Sequence, residues 1–104
     1  MKRVSVFGAT GSIGQNTIDL IRRAPDDYDV VALTGATNID QLIKDAKDLR
    51  ADVAVTSDPA RLSELRDGLA GTGSEAAAGE AALIEAAARP ADWIMSAIVG
   101  AAGL

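Results

Sequence analysis

"VFGATGSIGQNT", residues 6–17, carries three glycines, Gly8, Gly11 and Gly14, at three-residue intervals between an apolar run and a segment of helical period. Val4, Val6 and Phe7 make the preceding run rich in β-branched and aromatic side chains, and it closes at Gly8, which is the pattern of a buried strand. From Ser12 the period changes. Ile13, Thr17, Leu20, Ile21 and Ala24 recur at helical spacing, with Asp19, Arg22 and Arg23 on the other face. Pro25 stops this helix, because proline lacks the N–H and its ring clashes with the preceding turn. The stretch is a strand, a glycine turn and a helix. Either the turn cradles a ligand's phosphates or it only joins the two elements.

The same alternation continues outward. "DDYD" (26–29) is a polar turn, and "VVALT" (30–34) is a second apolar strand closed by Gly35. Asn38 stands as an N-cap with Gln41 in capping-box position, and Ile39, Leu42, Ile43, Ala46 and Leu49 form the stripe of a second helix. "ADVAVT" (51–56) is a third strand. In the helix that follows, Asp58 is the N-cap, Pro59 the first helical position, and Leu62, Leu65 and Leu69 the buried face. Residues 70–79 are a small, glycine-rich loop with a short strand near Ala76 to Ala78. Residues 80–89 are helical by propensity, Pro90 stops them, and "DWIMSAIV" (92–99) is a further strand. Strands alternating with helices imply right-handed crossovers and a parallel sheet, and near-continuous apolar strands suit a sheet covered on both faces. The fold class is α/β: a Rossmann-like three-layer domain with a parallel sheet, incomplete at the C-terminus. An incomplete sheet leaves an open edge and uncovered apolar area, which favours self-association.

Composition narrows the function. The 104 residues fit one small domain; 48% are hydrophobic, 24% charged and only 3% aromatic, so the core is aliphatic. The formal net charge is -5 with no basic run, which argues against nucleic acid as a partner. No cysteine or histidine is present, so acid–base work would fall to carboxylates, lysines or Tyr28. The N-terminal apolar run is too short for a signal peptide, and no stretch is long enough to span a membrane, which leads to a cytoplasmic expectation.

Ligands of open α/β sheets bind outside the carboxyl ends of the strands, where "GATGSIG" falls. A helix opening there presents N–H groups without intrahelical partners, and its dipole favours an anion. Thr10 and Ser12 add hydroxyls, and Gly14 lets the helix lie close to the sheet. The spacing is G-x-x-G-x-x-G rather than the dinucleotide fingerprint G-x-G-x-x-G, and the lysine of a P-loop is missing. At the end of the second strand, "TGATNID" (34–40) has no carboxylate at its tip to hold a ribose 2′-hydroxyl. Thr37, Asn38 and the helix N-terminus can instead hydrogen-bond a 2′-phosphate, which favours NADP over NAD. Ordinary helix capping accounts equally well for either residue alone. Gly100 and Gly103 in "SAIVGAAGL" would let a loop pass close to a flat ring or sugar.

"GATGSIGQNTIDLIR", "VVALTGATNI" and "MSAIVGAAGL" together resemble the N-terminal NADPH-binding domain of the 1-deoxy-D-xylulose 5-phosphate reductoisomerase family, in order and along essentially the whole chain. The resemblance implies an enzyme of non-mevalonate isoprenoid biosynthesis. That enzyme rearranges 1-deoxy-D-xylulose 5-phosphate and reduces the product with NADPH to 2-C-methyl-D-erythritol 4-phosphate, with Mg2+ or Mn2+ polarising the substrate's oxygens. Carried over by position, Thr10, Gly11, Ser12 and Ile13 contact the cofactor's pyrophosphate and adenosine side. Ala36, Thr37 and Asn38 surround the 2′-phosphate, and Ala97 to Gly103 line the nicotinamide side. Two departures stand out. Thr37 replaces the family's usual lysine or arginine, removing a charge-assisted contact. The chain also ends before the family's asparagine-lysine-glutamate segment, its carboxylate metal ligands and its substrate-phosphate pocket. Residues 1–104 are therefore expected to be an NADP-binding domain without the family's catalytic and C-terminal domains. Alone it would bind NADPH at most, with no catalytic residue and no metal ligand of its own; the family is expected to be homodimeric.

Other residues read as structural. The carboxylates of "PDDYD" (25–29) lie at the amino end of a strand and are a solvated turn before they are a metal site. Glu75, Glu80, Glu85, Lys44, Lys47 and Arg50 read as surface, and Trp93 as core or interface. Two other functions remain open: another NAD(P)-dependent dehydrogenase or epimerase with the same glycine spacing, and a non-catalytic nucleotide-sensing module.

Overall fold

Lys2–Phe7 forms β1, the strand around which the sheet is organised. The computed structural model describes residues 2–9, 12–35 and 38–96, with the backbone alone for Ser12, Ile13 and Ser96. After β1 come α1 (Ser12–Arg23), β2 (Tyr28–Gly35), α2 (Ile39–Leu49) and β3 (Val53–Thr56). A 3-10 turn (Pro59–Arg61) leads into α3 (Leu62–Leu69), followed by β4 (Glu75–Ala78), α4 (Glu80–Ala88) and β5 (Trp93–Ser96).

Among the described residues the sheet has five strands in the order β4-β3-β2-β1-β5, and every pair is parallel. The chain steps outward from β1 through β2 and β3 to β4, then crosses back to place β5 on the other side of β1. The side chains show where the helices lie. Ile18 and Ile21 of α1, Leu42 and Ala46 of α2, and Leu65 and Leu69 of α3 pack in one core with Val4, Val6, Val30 and Leu33. Ala86 of α4, with Ala82 and Leu83 against it, belongs to a second core with Val31, Val53 and Val55. One face thus carries three helices and the other carries α4, giving the expected three layers. Each fully buried Leu or Val contributes about 1.5–3 kcal/mol by leaving water.

β2 begins at Tyr28, so half of the predicted turn 26–29 is strand, because Tyr28 and Asp29 pair with Lys2 and Arg3. The register slips between Val4 and Ser5: Val4 faces Val30, Ser5 faces Ala32, and Val31 is the extra residue. The bulge explains why Val30 and Leu33 reach one core while Val31 and Ala32 reach the other.

Several local expectations need correction. Leu20, placed by period on the apolar face of α1, is 63% exposed. The buried stripe of that helix is the narrower one through Ile18 and Ile21, which meets the sheet. Leu62 is only half-buried, because the chain before it winds as a 3-10 turn whose start Asp58 caps by accepting the Ala60 N–H at 3.0 Å. Asn38 accepts the Gln41 N–H at 3.4 Å as an N-cap, but the Gln41 carboxamide turns away to Asp45, so only half of a capping box forms. Arg50 closes α2 in the left-handed region, at φ +54°. Trp93 is not core. It starts an outer strand with 47% of its surface exposed, Tyr28 packing beside it at 6.2 Å and the Lys2 ammonium 4.6 Å over its ring. Beside it on the same strand Ile94 and Met95 are also exposed.

Candidate functional site

The carboxyl ends of β1 and β5 lie side by side, with Phe7 opposite Ser96. Here the crossovers diverge, α1 packing on one face of the sheet and α4 on the other. Such a topological switch point is where open α/β sheets take their ligands. Gly8 leaves β1 with φ +80°, a conformation that side chains with a Cβ rarely adopt.

Thr34, at the matching end of β2, fixes this turn twice. Its hydroxyl oxygen accepts the Gly8 N–H at 2.9 Å, and its carbonyl accepts the Ala9 N–H at 2.7 Å. Both amides are therefore occupied within the fold. Among the described residues of this turn, the N–H groups left for an anion are those of the first turn of α1, which opens at Ser12. Gly14 sets the distance between that helix and the turn. A Cβ at position 14 would lie against the Gly8 carbonyl oxygen and 2.7 Å from Ala9 Cα. The close approach foreseen for Gly14 is real, and its partner is the glycine turn itself.

A second set of contacts was not legible in the sequence. Asp45 of α2 is fully buried. One of its oxygens accepts Gln15 Nε2 at 2.6 Å; the other accepts Gln41 Nε2 at 2.9 Å and an Arg22 guanidinium nitrogen at 3.2 Å. Gln15 Nε2 also donates to the Ala9 carbonyl at 2.8 Å. Arg22, placed by period on the face of α1 away from the apolar positions, reaches Asp48 as well at 3.2 Å and so ties α1 to α2. No short-range pattern marks Asp45. Only the i, i+4 spacing from Gln41 hints at a contact.

Of the site residues expected from sequence, Thr10, Gly11, Ala36, Thr37 and the segment Ala97 to Gly103 lie outside the described residues. Ser12 and Ile13 open α1. Asn38 sits exposed at the start of α2, where its side-chain oxygen caps the helix. Thr34, near the end of β2, holds the Gly8–Ala9 turn that follows β1, so the carboxyl ends of these two strands are tied together.

The opposite end holds an open cavity of about 420 Å³ lined by Tyr28, Asp26, Asp29, Asp48, Leu49 and Arg50 among others. The Asp29 carboxylate stands 3.7 Å from Arg3 Nε. Among the described residues no group of three or more acidic side chains converges to hold a metal ion, and no helix is long and apolar enough to cross a membrane. Glu75 and Glu85 flank Arg89, at 3.0 and 2.9 Å.

The profile of the family described as 1-deoxy-D-xylulose 5-phosphate reductoisomerase matches residues 4–104. The reductoisomerase of Ruegeria sp. (strain TM1040) is 72% identical over 104 residues, which are 100% of this chain and 26% of that protein. The one from Bradyrhizobium sp. (strain BTAi1 / ATCC BAA-1182) is 57% identical over the same length and share. The structure of the Zymomonas mobilis enzyme in complex with NADPH superposes with a TM-score of 0.94 at 51% identity, covering 98% of this chain and 27% of that one. A DOX-P reductoisomerase in complex with NADPH, fosmidomycin and magnesium gives a TM-score of 0.89 at 36% identity, covering 100% of this chain and 26% of that one. The chain thus spans about a quarter of the length of the relatives it matches. The chain belongs to the 1-deoxy-D-xylulose 5-phosphate reductoisomerase family.

Proposed function

We propose that this chain is the NADPH-binding segment of a 1-deoxy-D-xylulose 5-phosphate reductoisomerase. The whole enzyme converts 1-deoxy-D-xylulose 5-phosphate to 2-C-methyl-D-erythritol 4-phosphate, with NADPH supplying the hydride and a divalent metal, Mg2+ or Mn2+, polarising the sugar's oxygens. The observation that carries this reading is the 0.94 TM-score at 51% identity to a relative solved with NADPH. The local structure fits a dinucleotide: a positive-φ glycine at the switch point, a helix opening beside it, and no carboxylate in the described part of the β2–α2 connection before Asp40.

Within residues 1–104, taken as one NADP-binding domain, Thr10, Gly11, Ser12 and Ile13 are assigned to the cofactor's phosphates. Ala36, Thr37 and Asn38 are assigned to its 2′-phosphate. Asn38 keeps its capping oxygen engaged, so its part there falls to the amide nitrogen. The metal ligands, the sugar-phosphate pocket and the catalytic groups are assigned to the rest of the enzyme, which is read as a cytoplasmic homodimer. The test is a fluorescence or calorimetric titration with NADPH, NADP+ and NADH. Saturable binding of NADPH in preference to NADH supports the assignment; no binding to a folded sample removes it.

A further inference from the structure

The Gly8–Ala9 peptide is gripped from two sides. Thr34 takes its N–H groups, and the Ala9 carbonyl accepts Gln15 Nε2 at 2.8 Å. The same nitrogen donates its other hydrogen to Asp45 Oδ2 at 2.6 Å. A glutamine amide has a donor end and an acceptor end of nearly equal size, so its direction is set by its neighbours. Here both neighbours of the nitrogen are pure acceptors, a backbone carbonyl and a carboxylate. Asp45 is in turn held by Gln41 and by the Arg22 guanidinium, which supplies the opposite charge that a fully buried carboxylate requires.

From this chain of contacts we infer that Gln15 is a positioning residue for the cofactor turn and that Asp45 acts through it. Asp45 orients the Gln15 amide, and Gln15 holds the Ala9 carbonyl where the chain passes from β1 toward α1. The route runs from α2, which begins at the proposed 2′-phosphate end, to the glycine turn at the proposed pyrophosphate end. Neither side chain needs to touch the dinucleotide. The inference rests on the NADPH reading above and adds two residues that no glycine motif would select.

The experiment uses a full-length reductoisomerase carrying this segment. NADPH dissociation constants are measured by fluorescence for the parent enzyme, Gln15→Met, Asp45→Leu and the double variant, with urea unfolding of each. Methionine keeps the length and removes both hydrogen bonds. The expected result is a loss of NADPH affinity of about 5- to 30-fold in Gln15→Met, the size of one or two hydrogen bonds, with KM for the sugar phosphate unchanged within about twofold. Asp45→Leu should weaken NADPH binding in the parent but add nothing in the Gln15→Met background, although its effect on stability persists through Gln41 and Arg22. Additive losses of affinity, or unaltered NADPH affinity in Gln15→Met, would overturn the inference. Parent enzyme that fails to bind NADPH would instead overturn the functional reading beneath it. Should Asp45→Leu not fold, Gln15→Met alone decides, since Gln15 is only half-buried.

Discussion

Thr34 accepts the Gly8 N–H on its hydroxyl oxygen at 2.9 Å, so the end of β2 dictates how the chain leaves β1. Thr34 is 3% exposed and stands 26 positions after Gly8; the parallel pairing of β1 with β2 brings the two together. Thr34→Val keeps the side-chain shape and removes the acceptor. The orphaned amide should cost about 1–3 kcal/mol of stability. Urea unfolding should show the lower midpoint with an unchanged slope, and an unchanged midpoint would mean that the hydroxyl does not hold the turn.

Gly14→Ala sets two effects against each other. In an exposed helix interior the change gains about 1 kcal/mol of propensity. Here the added carbon meets Gly8 and Ala9 backbone atoms, which cannot rotate aside, and overpacking typically costs about 1–3 kcal/mol. The steric term wins, so a net loss of about 1–2 kcal/mol is expected. Because the displaced helix is the one assigned to the cofactor's phosphates, NADPH affinity should fall as well. Differential scanning calorimetry reads the first effect and a fluorescence titration the second. A variant more stable than the parent would contradict the packing described.

What the sequence disclosed, and what it hid, divides by range. The strands and helices were legible because each depends on neighbours within a few residues: the β-branched run before Gly8, the Asp58 cap before Pro59, the Pro25 and Pro90 stops. Tyr28 was read as turn because its strand character comes from pairing with Lys2, a partner far away in the chain. Leu20 was read as buried because a period identifies a face but not how much of it the sheet can cover. Gly8 and Gly14 announced the candidate site. Its supports, Thr34, Gln15 and Asp45, did not, since an aspartate four places after a glutamine looks like any solvated helix face until α1 packs over it.

Arg89 offers a test of the smaller face. Its guanidinium bridges Glu85 in α4 and Glu75 at the start of β4. Burial works against its charge, but hydrogen bonds to Glu85 and Glu75 outweigh that and hold its pKa above the ordinary value. A raised pKa means that the contribution is complete below the unfolded value and lost only as pH climbs past the folded one, so it is flat across any working pH. With both glutamates largely exposed, Arg89→Met should cost only about 0.5–1 kcal/mol. The difference from the parent should shrink in high salt, where screening weakens exposed pairs. Parallel urea titrations at low and high ionic strength check this, and a loss insensitive to salt would assign the effect to packing of the side-chain stem instead.

Thr37→Arg tests the 2′-phosphate assignment. The family resemblance puts a cation at this position, and threonine offers only a neutral hydroxyl in its place. A guanidinium can meet a phosphate with two parallel charge-assisted hydrogen bonds, each stronger than a neutral one. NADH carries no 2′-phosphate, so the substitution should leave its affinity nearly unchanged. NADPH affinity should rise by roughly tenfold, the equivalent of about 1.4 kcal/mol. The comparison of the two cofactors controls for any change in folding, since both bind the same variant. Salt provides a further control: the gain for NADPH should shrink as ionic strength rises, because the new contact is between opposite charges. An unaltered NADPH-to-NADH ratio would place the 2′-phosphate away from residue 37 and move the assignment to another part of the switch-point end of the sheet.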